Sequence, residues 1–214
     1  MPQPLSDIEC RIVGALIEKQ LTTPEYYPLT LNALTAACNQ KNNRDPVASY
    51  DEREIAAALE ELRERNLVYV FYGSTSRVPK YKHMLPSVYE LEPSEVAVLC
   101  VMMLRGPQTL GELRERTSRL YQFTGLGEVQ ETLDNLMRRE EPLVVKLERQ
   151  PGQKEARFAH LLSGTIDVEA LAASRPIRRV EPDRLESFEN EVAALRAEVA
   201  ALNEKFEEFR KQFE

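Results

Sequence analysis

The sequence predicts a mainly α-helical protein with small β wings. It reads as two tandem winged helix-turn-helix domains followed by a C-terminal heptad helix. Three observations carry this reading. The order helix, helix, helix, strand, turn, strand occurs twice. The apolar positions of the two copies align at nearly constant offsets. Past residue 182 a strict apolar repeat of 3 and 4 begins. The expected boundaries are 1–88 and 89–164 for the two domains, 165–182 for a linker and 183–214 for the heptad helix.

In the first copy, Ser6 and Glu9 form a capping box, in which two side chains satisfy orphan amides at a helix start. The apolar stripe Ile8, Ile12, Val13, Leu16 and Ile17 carries that helix to about Gln20. A second helix is expected from about Thr30 to Cys38. A third starts near Ser49, where Ser49 and Glu52 read as another capping box, and buries Ile55, Ala58, Leu59 and Leu62. Leu67 to Tyr72 is β-branched and aromatic, which suits a strand. Gly73 to Ser76 is turn chemistry, and Val78 to Met84 returns.

The second copy runs Ser94–Leu104, Thr109–Arg116 and Gly127–Arg139 as helices. Leu143–Leu147 and Ala156–Leu161 follow as strands about Pro151-Gly152. Glu9, Ile12, Val13 and Leu16 align with Glu95, Val98, Leu99 and Met102 at an offset of 86. Ile55, Leu59 and Leu62 align with Val129, Leu133 and Leu136 at 74. The first copy therefore has 12 extra residues between its first and third helices. Much of the excess falls in two segments of unusual composition, Thr22 to Pro28 and Asn39 to Pro46.

These segments carry a resemblance. Glu18-Lys19 with Thr23-Pro24, Tyr27-Pro28-Leu29 and the stretch Asn39-Gln40-Lys41-Asn42-Asn43-Arg44-Asp45-Pro46-Val47 resemble the uncharacterised bacterial family typified by YceH, over about residues 5–162. Asn42, where that pattern has Ser, and Ala48, where it has a larger apolar residue, are mild departures. The resemblance implies tandem winged helices and a link to DNA binding or regulation, with no established activity.

Composition narrows the function classes. With 43% hydrophobic and 29% charged residues the chain can build packed cores. Abundant Ala, Leu, Glu and Arg, few Gly and no Trp lean helical. Met1–Leu5 lacks a basic leader and no apolar run approaches a membrane span, so a cytoplasmic protein without membrane contact is expected. Cys10, Cys38 and Cys100 sit alone in helical patterns, as buried thiols rather than disulfides or a zinc site. No Gly-rich phosphate loop, nucleophile elbow or H-E-x-x-H motif occurs, so neither enzyme activity, cofactor nor metal is expected. His83 and His160 fall at equivalent places in the two returning strands, which favours a role in the fold.

Charge weighs against a conventional groove reader. The net charge is −7, and the third helix of the first copy, Asp51–Arg65, has six acids and three arginines. That is a poor fit to a groove walled by phosphates. The best duplex-binding surface on offer combines Asn39, Gln40, Lys41, Asn42, Asn43 and Arg44 before the third helix with Arg53 and the wing residues Arg77, Lys80 and Lys82. A polar turn in which Arg44 and Asp45 pair locally stands level with that reading. Tyr26-Tyr27, exposed, would stack on a base or a partner; lodged between Pro24 and Pro28, it packs a loop onto the first helix, which is preferred.

Leu185, Phe188, Val192, Leu195, Val199, Leu202, Phe206, Phe209 and Phe213 are spaced alternately 3 and 4 apart. This heptad predicts self-association, in preference to folding back on the first two domains. Two functions compete: a dimeric DNA-binding regulator, and a protein-interaction scaffold whose winged helices touch no groove.

Overall fold

The computed structural model describes residues 3–72, 78–149 and 154–164, all within one compact unit, Met1–Ile166. The described residues are mainly helical, with seven α-helices and two small antiparallel sheets. The elements are α1 (Asp7–Thr22), a 3-10 turn (Pro24–Tyr26), β1 (Leu29–Thr30), α2 (Leu31–Cys38), α3 (Glu52–Glu64), β2 (Val68–Phe71) and β3 (Lys80–His83). They continue with α4 (Leu85–Tyr89), α5 (Pro93–Arg105), α6 (Leu110–Arg116), α7 (Leu126–Arg138), β4 (Val144–Leu147) and β5 (Arg157–His160). The linker 165–182 and every heptad position from Leu185 to Phe213 lie outside the described residues.

Two helices organise the interior because their sequences leave no face for water. In α1 every residue from Glu9 to Ile17 is buried, and in α5 every residue from Glu95 to Leu104. A helix stretch buried on every side must be covered on every side, and the charges within it, Glu9, Arg11 and Glu95, must find partners inside. α1 and α5 cover each other, and one core cluster runs through both copies from Leu5 to Leu162. The close approach depends on Gly14. A Cβ at that position would lie 2.9 Å from Leu104 Cγ and 3.3 Å from Met103 Cβ. The Cys100 thiol donates to the Gly14 carbonyl at 3.4 Å.

Several helix starts follow the expected chemistry, and the third helix departs from it. Ser6 and Glu9 close the capping box of α1, and Thr30 caps α2. The third helix starts not on Ser49 but on Asp51, whose carboxylate accepts from the amides of Arg53 and Glu54, both at 2.8 Å. The cause lies just upstream. The Asn39 side chain accepts from the Tyr50 amide at 2.8 Å and donates to the Tyr50 carbonyl at 2.7 Å. The Tyr50 carbonyl, which an earlier start would turn toward the Glu54 amide, goes to Asn39 instead, and the Glu54 amide goes to Asp51.

The repeat is visible in equivalent ion pairs. Arg65, just past α3, meets the buried Glu9 carboxylate at 3.1 Å, and Arg139, just past α7, meets the buried Glu95 carboxylate at 3.1 Å. Each arginine also donates to the chain entering its first helix, at Gln3 or at Tyr89 and Glu90. Each hairpin follows its third helix, β2 with β3 and β4 with β5. The first sheet gains β1, which pairs Leu29 with Tyr81 and Thr30 with Lys80. The second copy has only the bridge between Gln108 and Phe158 at that place. Neither β1 nor α4 is long enough to leave a periodic signal in the sequence.

Gly14→Val is expected to force α1 and α5 apart. An overpacked core costs about 1–3 kcal/mol, to be read as a lower urea midpoint at unchanged slope.

Candidate functional site

The Asn-rich segment is held from inside by two buried arginines. The Arg44 side chain is 0% exposed and engages both oxygens of Glu18 on α1, at 3.1 and 2.6 Å. It also donates to the carbonyls of Ala37 and Asn43 and to Gln40 Oε1. Arg11, 4% exposed, donates to the carbonyls of Cys38 at 3.2 Å and Pro46 at 2.6 Å. Ala37 and Cys38 end α2, where the last carbonyls of a helix lack partners within it. The two guanidiniums thus close α2 and fasten the segment that follows. Burial lowers the Arg11 pKa from its ordinary value, with the nearby Arg44 acting in the same direction.

The segment also reaches the second copy. The Asp45 amide donates to the Leu104 carbonyl at 2.9 Å, and the Arg105 guanidinium donates to Asn43 Oδ1. Asn43 takes the left-handed conformation at φ 62°, which Asn tolerates better than most residues. Of the residues expected to meet a duplex, Asn39, Gln40, Asn43 and Arg44 are thus committed to the fold. Arg44 pairs with Glu18, not with Asp45. Lys41 and Asn42 remain exposed.

The first hairpin gathers a second group. Lys80 and Lys82 share one face of β3, opposite the buried Tyr81 and His83. Register places them beside Phe71 and Tyr69. The Lys82 ammonium sits 5.8 Å from the Tyr69 ring centroid. Neither strand of this hairpin contains an acid. Tyr69, Phe71 and Tyr72 are 56%, 46% and 69% exposed, a proportion unusual for aromatics within a packed fold. Arg53 is exposed in the first turn of α3, flanked by Glu52 and Glu54. Arg77 lies outside the described residues.

Tyr27 packs and Tyr26 does not. The Tyr27 hydroxyl accepts from the His83 amide at 2.8 Å, while Tyr26 is 72% exposed. His83 Nε2 meets Gln20 Oε1, and its Nδ1 is buried without a partner among the described residues. Burial, with the Lys82 charge beside it, brings the His83 pKa down to about 4. Burial lowers His160, at the matching place in β5, to about 4 as well. The three cysteines are buried and free; burial raises Cys10 to about 11 and Cys38 to about 12. Among the described residues no three His, Cys, Asp or Glu side chains gather in a way that would hold a metal, and no helix is long and apolar enough to cross a membrane.

Sequence reasoning passed over Arg11, and a signal for it existed. Arg11 stands inside the run Cys10 to Ile17, where all its neighbours are core residues. A charge there must find partners inside.

By its sequence the chain matches a family of proteins with no assigned role. The family model described as "Protein of unknown function, DUF480" matches residues 5–153, and the chain belongs to that family. The UPF0502 protein of Geobacter sulfurreducens is 49% identical over 98% of each chain. The UPF0502 protein of Opitutus terrae is 51% identical over 90% of this chain and 83% of its own.

Removing one partner of a buried ion pair strands the other's charge and costs about 3–5 kcal/mol. Arg44→Ala and Glu18→Ala should each lose stability on that scale in urea titrations. Lys41→Ala should stay within about 0.5 kcal/mol of the parent. His83 is neutral when folded down to about pH 4, whereas the unfolded chain protonates it near its ordinary value of 6.5. The unfolded state therefore binds more protons between these values, and stability falls as pH drops through that window. The loss from His83 should reach about 2 kcal/mol at pH 5. His83→Gln should flatten the pH dependence of the melting temperature there.

Proposed function

We propose that the protein is a DNA-binding regulator, acting by binding rather than catalysis, in which two tandem winged-helix domains meet the duplex through their wings. The observation that carries this reading is a separation of charge. The outer face of the first hairpin presents Lys80 and Lys82 among exposed aromatics, and the second hairpin adds the exposed Lys146. The third helices, which enter the groove in most helix-turn-helix proteins, are acidic here. α3 carries five acids against two arginines, and α7 three acids against one. Lysines take phosphates, and aromatic rings beside them can rest on sugar or base. The C-terminal heptad, in this reading, pairs two copies so that four wings reach one duplex.

Fluorescence anisotropy of a labelled duplex across a salt series tests this. The parent should bind at micromolar concentration in 50 mM salt, with affinity falling steeply as salt rises. Lys80→Glu with Lys82→Glu should weaken binding at least tenfold and flatten the salt slope by about 2. Absence of binding by the parent at 50 mM salt overturns the proposal.

A second reading, a protein-interaction scaffold, is favoured by the exposed Tyr69, Phe71 and Tyr72. A partner retained after nuclease treatment, and lost with Tyr69→Ala and Phe71→Ala, would decide for it.

A further inference from the structure

The described unit has a second cluster of cations, lined by no residue of the first hairpin. A cleft of about 200 Å³ opens where α1, α5 and α6 end beside the Asn-rich segment. This is far above the ~10–15 Å³ that one water requires. Its lining holds Lys19, Arg105, Arg116 and Arg119, contributed by both copies of the repeat. Glu18 is the one acid among the described lining residues, and its carboxylate is already taken by Arg44.

Cations at helix ends have an ordinary use, since each helix C-terminus carries about −0.5 charge. Three such ends converge here. They account for fewer than half of the four positive charges, leaving a surplus of about 2.5, reduced somewhat by Glu112. Glu112 lies 3.5 Å from Arg116, but it is shared with Arg157 at 2.7 Å. Arg116 also donates to Gln108 and Arg105 to Asn43, so these two guanidiniums are positioned by neutral amides. Lys19 and Arg119 have no ion-pair partner among the described residues. Burial, then the proximity of Arg116, lowers the Arg105 pKa; Glu18 and Asp45 act against this without reversing it.

We infer that this cleft binds a small phosphorylated molecule, with the phosphoryl group held by Arg105, Arg116, Arg119 and Lys19. Planar guanidiniums suit phosphate oxygens in paired hydrogen bonds, and a lysine adds a point charge. A duplex could supply the same chemistry. The cleft is instead a recess between helix ends on the joint of the two copies, a place for a compact ligand to bridge them.

Isothermal titration of the full-length protein with inorganic pyrophosphate, at ionic strength matched with chloride, tests the assignment. Saturable binding is expected. Arg119→Glu and Lys19→Glu should each weaken it at least tenfold without lowering the melting temperature. Arg138→Glu, on the exposed surface of α7, should leave it unchanged. The pair Lys80→Glu and Lys82→Glu should also leave it unchanged, which separates failure here from failure of the wing as a duplex contact. No saturable heat with millimolar pyrophosphate overturns the inference. Tighter binding of citrate than of pyrophosphate overturns the phosphoryl assignment. If the Arg119 and Lys19 variants abolish duplex binding but spare pyrophosphate, the cleft is a backbone contact and the small-molecule assignment falls.

Discussion

The buried pair of Arg44 and Glu18 is the constraint around which the first copy is arranged. Two charges withdrawn from water are not in themselves a source of stability, since desolvation offsets most of their attraction. What the pair supplies is uniqueness. Arg44 satisfies the end of α2 and fixes Gln40 and the Asn43 carbonyl while pairing with a carboxylate on α1. Any other path for the inserted segment would leave a guanidinium and a carboxylate unpartnered in the interior. Arg11 repeats the device one carbonyl further on.

From this pair the order extends across the molecule. The fastened segment presents Asp45 and Asn43 to the end of α5. α5 lies on α1 around Gly14, and the two core helices are the first helices of the two copies. The insertion that distinguishes the first copy is therefore the element that reaches across to the second. The cationic cleft stands on the same joint, which is why its four cations come from three separate helix ends.

Much of the fold was legible because it follows from periodicity and caps. The Ser6 and Glu9 capping box and a second helix ending at Cys38 stand where the sequence puts them. What was not legible was the direction in which polar side chains point. Asn39 and Arg44 look like solvent-facing residues in a list of letters, and composition cannot tell an amide offered to a base from one closing a turn. The Asp51 cap was hidden for the same reason, since only the bracketing of Tyr50 by Asn39 rules out an earlier start. The wing lysines were legible as charges, but their flanking rings gain meaning only from the register that sets Tyr69 opposite Lys82. The cleft was invisible, because Lys19, Arg105 and Arg119 are far apart in the chain and each alone is an ordinary helix-end cation.

The two hydrogen bonds between Asn39 and Tyr50 have one more consequence. They close a ring of backbone and side chain around the residues between them, and the buried Arg44 ties that ring to α1 through Glu18. Lys41 and Asn42, on the outside of that ring, are exposed yet stand on a rigid mount. A surface of this kind loses little conformational freedom when something docks on it, unlike a flexible loop that must be ordered first. Its chemistry can therefore be changed at those two positions without changing its shape.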